Sequence, residues 1–227
     1  MSYNPNPPAV NPLPWIVWVL ALPIIAMEVL LTLGETGLIS DAARGWRVDA
    51  LMRFAFFPQF AQAAWAEGSW LPYEPWRLLS YAFVHGGMTN AIFAVVILLA
   101  LGKMVGEIFS PWAVLTIWLA STLVGGLAYV LLVNEQYPLV GAFPAVYGLI
   151  GAFTFLLWVR LAGTGNQQYR AFTLIGMLLA MQLLFGLLFG GGMQWVAEVA
   201  GFATGFLASF IVSPGGLNRV MTRLRQR

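Results

Sequence analysis

The chain contains no cysteine and only one histidine, and 9% of its 227 residues are charged. Without cysteine it has no disulfide, no thiolate nucleophile and no cysteine-ligated metal site. Nine acidic and eleven basic residues cannot give a soluble domain of this length a polar surface. A net charge of +2, spread along the chain, makes no footprint for nucleic acid. These shortages exclude a soluble globular domain, and we expect no nucleic-acid partner, no metal and no cofactor.

Hydrophobic residues make up 60% of the chain, and the mean hydropathy of +0.80 places most of it in lipid. A membrane-spanning helix needs about 20 mainly apolar residues, and six stretches qualify: 14–33, 80–101, 108–133, 139–159, 171–189 and 193–213. The sequence therefore predicts an all-α membrane protein, a six-helix transmembrane bundle with a long first loop. Residues 14–213 form its single domain, preceded by a flexible N-terminal lead-in over 1–13 and followed by a basic tail over 214–227.

Basic residues indicate how the spans are oriented. Six spans place both termini on one side of the membrane, and the tail has four arginines, Arg219, Arg223, Arg225 and Arg227. By the positive-inside rule that side is the cytoplasm. We therefore expect an integral multi-pass protein of a bacterial inner membrane with both termini cytoplasmic. The first loop, residues 34–79, is an exception because it carries arginines on the outer side: Arg44, Arg47, Arg53 and Arg77.

The first loop is rich in aromatic residues but is interrupted by Pro58, Gly68 and Pro72. This pattern predicts short amphipathic helices that lie in the membrane interface. Four aromatic side chains suit the headgroup layer: Trp65, Trp70, Tyr73 and Trp76. A seventh span is the alternative, and it is disfavoured because it would bury charged and amide side chains such as Arg53 and Glu67 in hydrocarbon.

Three motifs follow one another along the rest of the chain. The first is the Trp76-Arg77 pair with His85 eight residues later, in PYEPWRLLSYAFVHGG. The second is GAFPAVYGLIGAF, which begins at Gly141. The third is AEVAGFATGF, which begins at Ala197. Small residues at four-residue spacing occur in many packed membrane helices. One motif alone is therefore weak evidence, and the order and spacing of the three motifs are the stronger signal.

Together these motifs resemble the rhomboid intramembrane serine proteases, over residues 76–213. The first resembles the way the family opens its second span. The second is similar to the G-x-S-G-x-x-Y/F-G nucleophile segment of the fourth span, and the third to the A-H-x-x-G-x-x-x-G pattern of the sixth. The resemblance implies a six-span fold and a serine hydroxyl activated by a histidine base.

The residues that the resemblance assigns to catalysis have changed. The nucleophile position holds Phe143 and the base position holds Glu198. The two second-span positions that would stabilise an oxyanion are Asn90 and Ala94, and alanine has no side-chain donor. The only histidine is His85, which the family uses structurally. We therefore predict a chain with no catalytic residue, a rhomboid pseudoprotease.

The remaining motif residues have structural or interaction roles by the same resemblance. Arg77 beside Trp76 is expected to hold the first loop through backbone carbonyls, with a lipid headgroup as the alternative partner. Small residues predict close packing between the fourth and sixth spans, and these include Gly141, Gly148, Gly201 and Gly205.

Glu198 is an acidic residue within an apolar span, where it is costly and usually faces the bundle interior. Tyr147 is expected to lie near it. We weigh three roles for Glu198: an interhelical hydrogen-bonded clasp, a polar handle for a client helix, and a proton relay with Glu28. Glu28 itself is expected to be an unremarkable interfacial carboxylate near the outer end of the first span.

The leading hypothesis is a non-catalytic rhomboid-like membrane protein that binds transmembrane segments of other membrane proteins, as accessory subunit, assembly factor or regulator. Its expected partners are the lipid bilayer and the transmembrane helices of client proteins. One alternative is an active rhomboid-family intramembrane serine endopeptidase. Another is a small transporter, which the scarcity of intramembrane charges and broken helices disfavours.

Overall fold

The computed structural model describes residues 12–69, 74–133, 137–163, 167–180 and 192–213. Its helices, in chain order, are α1 (Trp15–Glu35), α2 (Trp46–Phe54), α3 (Pro58–Ala66), α4 (Arg77–Ser80), α5 (Met88–Gly106), α6 (Pro111–Leu132), α7 (Phe143–Gly163), α8 (helical over 173–180) and α9 (Trp195–Val212). Five of them, α1, α5, α6, α7 and α9, are long and apolar enough to cross a bilayer. The predicted all-α membrane fold and the multi-pass topology are confirmed.

The fifth predicted span, 171–189, is only partly within the described residues. Its beginning is helical in α8, and residues 181–189 lie outside the described residues. The tail over 214–227 and positions 1–11 of the lead-in lie outside them too, as do Trp70 and Tyr73.

The spanning helices begin later than hydropathy predicts, for local reasons. α5 starts at Met88 and not at residue 80, because Gly86 and Gly87 separate it from the short helical turns that precede them. α7 starts at Phe143 and not at residue 139, because Leu139 pairs with Phe56 of the first loop. The Leu139 N–H donates to the Phe56 carbonyl at 2.8 Å, and the Phe56 N–H donates back at 3.1 Å. Hydropathy counts Leu139 as part of a membrane span, whereas the structure uses this apolar residue in a contact with the first loop.

The first loop folds into short helices. α2 and α3 have nine residues each, well below the length that crosses a bilayer. This agrees with the predicted interfacial helices and is against a seventh span within the described part of the loop. Val48 and Met52 of α2 are exposed, whereas Ala61 and Ala64 of α3 are completely buried.

The core of the bundle is the contact between α6, α7 and α9. α7 and α9 approach so closely that a Cβ built on Gly205 would lie 1.9 Å from the Gly148 carbonyl oxygen. A Cβ on Gly201 would lie 2.1 Å from the carbonyl oxygen of Pro144. α6 adds Ser121, whose hydroxyl donates to the Gly201 carbonyl at 3.1 Å. The small residues therefore let three backbones meet, because any larger side chain would hold them apart.

Candidate functional site

The N-terminus of α7 is held against the segment that precedes α5. Gly141 has a φ of +90°, a conformation that favours glycine, and its N–H donates to the Tyr81 carbonyl at 2.9 Å. The next N–H, of Ala142, donates to Nε2 of His85 at 3.2 Å. A Cβ on Gly141 would lie 3.2 Å from Cδ2 of His85. The imidazole therefore supports the turn that leads into α7.

His85 is neutral in this environment. Its side chain is 1% exposed, and burial lowers its pKa to about 4, although the charge of Glu28 acts in the opposite direction. Because Nε2 accepts the Ala142 N–H, the proton is assigned to Nδ1. Nδ1 has no hydrogen-bond partner among the described residues. The only histidine of the chain thus bonds to a backbone amide, and no described serine hydroxyl bonds to it.

Phe143 and Glu198 occupy the two positions that the motifs assign to nucleophile and base. Phe143 begins α7 and packs, partly buried, against the main apolar core. Glu198 lies in the first turn of α9 and is 6% exposed. The Tyr147 side chain of α7 hydrogen-bonds to Glu198, so the expected proximity of these two residues is present. The arrangement is a polar clasp between two spanning helices and contains no hydroxyl next to an imidazole.

The other two positions of the expected site lie in α5. Asn90 is exposed in the first turn of the helix, whereas Ala94 is completely buried in the core. An exposed amide and a methyl group, which is no donor, do not form a pair of donors that converge on one point.

Arg77 holds the first loop through its guanidinium group. Arg77 is 6% exposed and its Nη1 donates to the carbonyls of Met52 at 2.7 Å and Ala55 at 2.9 Å. Its guanidinium lies over the rings of Phe57 and Phe60, at 5.5 and 5.4 Å from their centroids. These contacts have the form expected of a loop anchor. Its neighbour Trp76 is 54% exposed.

The chain matches the Rhomboid domain family over residues 72–215. It belongs to the rhomboid family. RHOMBOID-like protein 4 of Arabidopsis thaliana is 30% identical over 139 residues, which are 61% of this chain and 34% of that relative. Putative rhomboid protease YdcA of Bacillus subtilis is 25% identical over 146 residues, 64% of this chain and 69% of the relative. Rhomboid protease GluP of the same bacterium is 29% identical over 147 residues, 63% of this chain and 26% of the relative.

This rhomboid therefore spans about a third of the Arabidopsis relative's length. The match includes every helix from α4 to α9 and the turn that leads into α7. It begins after α1, α2 and α3. The loop anchor at Arg77, the His85 contact and the clasp at Glu198 all lie within the matched part.

A cluster around Arg47 was missed by the sequence analysis. Arg47 is 7% exposed, and its guanidinium donates to Glu28 at 2.8 Å and to Glu35 at 3.2 Å. It also donates to the carbonyl oxygen of His85 at 3.1 Å. Hydrogen bonds raise the pKa of Arg47 above its ordinary value, and the bond with Glu28 has a larger effect than the bond with Glu35. The cluster joins α1, the first loop and the segment before α5.

The expectation for Glu28 is therefore wrong. Glu28 is 8% exposed and is the main carboxylate partner of a buried arginine. The sequence contained one signal for this: Glu28, Thr32 and Glu35 recur at the spacing of one helix face. A hydropathy pattern does not identify the residue that pairs with this face, because Arg47 lies 19 residues away from Glu28 in the sequence and outside the helix.

Three of the four arginines that departed from the positive-inside rule are held in ion pairs. Arg47 is paired with Glu28 and Glu35, and Arg77 is paired with Glu74. Arg44 lies 3.2 Å from Asp41, in an exposed pair. Their charges are largely balanced within the loop and α1. This pairing does not explain the departure from the rule, because the rule counts Lys and Arg near the ends of spans and acidic residues contribute little to it.

Replacement of Arg47 by glutamine should lower the free energy of unfolding by about 3–5 kcal/mol, because it leaves Glu28 buried without its cation. The measurement is denaturant unfolding of the full chain in detergent micelles. Arg44→Gln is the matched control, and it should change the stability by less than about 1 kcal/mol because its ion pair is exposed. Equal effects of the two substitutions would show that the buried cluster does not stabilise the fold.

The stability should also fall as the pH is lowered from about 6.5 to about 4. The folded-state pKa of His85, about 4, is below its unfolded value, so protonation favours the unfolded chain. The contribution is complete above the unfolded pKa and is lost toward the folded one, with a slope of at most about 1.4 kcal/mol per pH unit. Unfolding measured across this range should show a shallower pH dependence for His85→Asn. Parallel profiles would contradict the assignment of a neutral His85.

Proposed function

We propose that this rhomboid is non-catalytic and binds transmembrane segments of other membrane proteins, as an accessory subunit, assembly factor or regulator. One observation carries the proposal: Phe143 stands at the nucleophile position while the only histidine bonds to the Ala142 amide. Acyl transfer by this family's mechanism needs a hydroxyl and a base within hydrogen-bond reach. A benzyl side chain supplies no nucleophile, and His85 is held in a structural contact.

The binding role is supported by what the bundle offers to a helix in lipid. Helices in a bilayer associate through small residues and interhelical hydrogen bonds, because burial of apolar surface drives little there. This chain retains both means at one place, in the contact between α7 and α9. Tyr147 and Glu198 bring a phenol and a carboxyl group there. Both side chains are buried and bonded to each other, so a client helix with a polar residue at the same depth would hydrogen-bond there by exchanging partners within this contact.

A second candidate function is intramembrane serine proteolysis. It is favoured by the names of two relatives, a putative rhomboid protease and a rhomboid protease. The substitutions at Phe143 and Glu198 stand against it, as does the buried position of Ser121, which donates to a backbone carbonyl.

We also propose that the protein lies in a bacterial inner membrane with both termini cytoplasmic, on the basis of the arginines in the tail.

The purified full chain should neither cleave a helix-destabilised model transmembrane substrate in liposomes nor react with a fluorophosphonate probe. The reason is that no serine hydroxyl is activated by the single histidine. An active rhomboid in the same liposomes provides the positive control for substrate and probe. If labelling occurs and is lost in Ser121→Ala, or if cleavage is blocked by the probe, the chain is a protease and the proposal fails.

Affinity purification of the full chain from native membranes in mild detergent should recover at least one other membrane protein in comparable amount. Glu198→Gln should reduce that recovery several-fold, as expected for an interhelical polar contact worth about 0.6–2 kcal/mol. Glu107→Gln, which changes an exposed carboxylate at the end of α5, is the matched control and should leave recovery unchanged. Purification of the chain alone would contradict the binding role. Full recovery with Glu198→Gln would show that Glu198 serves only the contact with Tyr147 between α7 and α9 and does not bind the partner.

A further inference from the structure

A proline interrupts the hydrogen-bond pattern of α1 inside the membrane. Pro23 lies within this helix, which is long and apolar enough to span the bilayer. An α-helix bonds each carbonyl to the N–H four residues later, and proline has no backbone N–H. The carbonyl of Val19 therefore faces a position that has no donor. Such a carbonyl is costly in hydrocarbon, where no water replaces the lost bond.

The helix itself offers no replacement donor. A carbonyl freed by proline in a membrane helix is satisfied by a serine or threonine side chain, by a local change of helix type, by water or by a neighbouring helix. Residues 19–27 contain no side chain with a hydrogen-bond donor. The backbone is α-helical throughout Trp15–Glu35, without a 3₁₀ or π segment. The first two ways are therefore closed, and the donor comes from outside α1.

The freed carbonyl lies on a face of α1 that no other described helix covers. A helix carbonyl points along the axis toward the residue four positions later, and Val19 and Pro23 are both exposed, Val19 at 52%. Leu22 is 53% exposed, and Ala26 is exposed as well. These four residues recur at spacings of three and four and form one face, which we call the proline face.

The depth of the carbonyl favours a protein partner over water. α1 has 21 residues, which cover about 31 Å and match the roughly 30 Å hydrocarbon core. Its first residue, Trp15, meets Trp112 edge to face with 6.3 Å between ring centroids, and both are more than half exposed. Such tryptophans are typical of the headgroup boundary. Val19 lies four residues further in, about 6 Å, so its carbonyl is within the hydrocarbon layer.

Hydrogen bonds within the bundle indicate which side chain of a partner can reach this carbonyl. Several hydroxyl groups of the spanning helices donate to the carbonyl four residues earlier in their own helix, namely those of Thr116, Thr122, Thr204 and Ser209. Ser121 donates instead to the Gly201 carbonyl of another helix, at a glycine where the backbones meet.

The proline face lacks such a close approach, because the side chains of Val19 and Leu22 hold a partner helix further away. A longer side chain is needed, with a donor that its own helix does not use. The amide groups of asparagine and glutamine meet both conditions, since each has two N–H donors. A short hydroxyl side chain is bonded within its own helix instead.

We infer that the proline face of α1 docks a transmembrane helix of a partner membrane protein, and that an asparagine or glutamine of that helix donates to the Val19 carbonyl. Ala26 keeps the inner part of the face low enough for a helix to pack on it. The inference names a contact for the proposed binding function and rests on that function. It is separate from the contact at Glu198, which lies on α9.

The test is the binding of synthetic polyleucine transmembrane peptides to the purified full chain in phosphatidylcholine liposomes. One peptide has asparagine about 6 Å from one end of its apolar segment, the second has asparagine at the middle, and the third has none. Because the chain has no cysteine, Pro12→Cys places a single fluorophore just before α1, and energy transfer to a dye on the peptide measures binding.

The first peptide should bind about three- to tenfold more tightly than the other two, the factor that corresponds to one interhelical hydrogen bond. Equal binding of the three peptides would show that the Val19 carbonyl takes no donor from a helix, and would overturn the inference. Energy transfer between labelled copies without peptide, if Pro23→Ala abolished it, would assign the proline face to a second copy and would also overturn it.

Pro23→Ala completes a double-mutant cycle with the peptides. Alanine restores the N–H that the Val19 carbonyl lacks, and it preserves the fold because it is the best helix former. The advantage of the first peptide should disappear in this variant, whereas the peptide without asparagine should bind as before. Pro111→Ala is the matched control: Pro111 is the first residue of α6, where an N–H has no intrahelical acceptor. An advantage that persists in Pro23→Ala would overturn the inference.

The inference and the proposed function fail in different ways. If affinity purification recovers a partner equally well with Pro23→Ala and with the unchanged chain, the inference is overturned and the binding role stands. If the chain purifies alone while Pro23→Ala abolishes the advantage of the first peptide, the binding role is contradicted and the contact at the Val19 carbonyl is supported.

Discussion

The backbone contact between α7 and α9 is the constraint on which the rest of the site depends. Gly148 and Gly205 have no side chains to separate the two helices, so carbonyl and Cα atoms meet directly. This proximity brings Tyr147 to Glu198, and it lets Ser121 of α6 reach the carbonyl of Gly201. In a bilayer, where burial of apolar surface gives little drive for association, such close packing and the hydrogen bonds it permits stabilise the bundle.

Buried arginines connect the first loop to this bundle. Arg47 binds two carboxylates of α1 and the carbonyl of His85, and His85 accepts the N–H that opens α7. Through its carbonyl and its imidazole, His85 thus links α1 and the first loop to the segment that leads into α7. Arg77 secures the other side of the loop through Met52 and Ala55. The charges are tolerated at these depths because each has a carboxylate or carbonyl partner.

Family membership and activity are separate questions for this chain. The Rhomboid domain match covers α4 to α9, and a fold by itself does not determine a reaction. What a site can do follows from its side chains, and here a phenylalanine and a carboxyl group stand where the family's motifs have serine and histidine. The chain has the family's domain over residues 72–215, with phenylalanine at position 143 and glutamate at position 198. The proposed binding role rests on the contact between α7 and α9, which these substitutions leave in place.

Composition and hydropathy alone determined that this chain is a helical membrane protein, because a span is a local property of about 20 residues. The motifs gave the family and the identities at positions 143 and 198, since these need only the order of residues. Sequence did not reveal the partner of Arg47 or the turn at Leu139, because both depend on contacts between distant residues. Only the tertiary structure decides such features, since they arise from the relative placement of elements and not from the residues within each one.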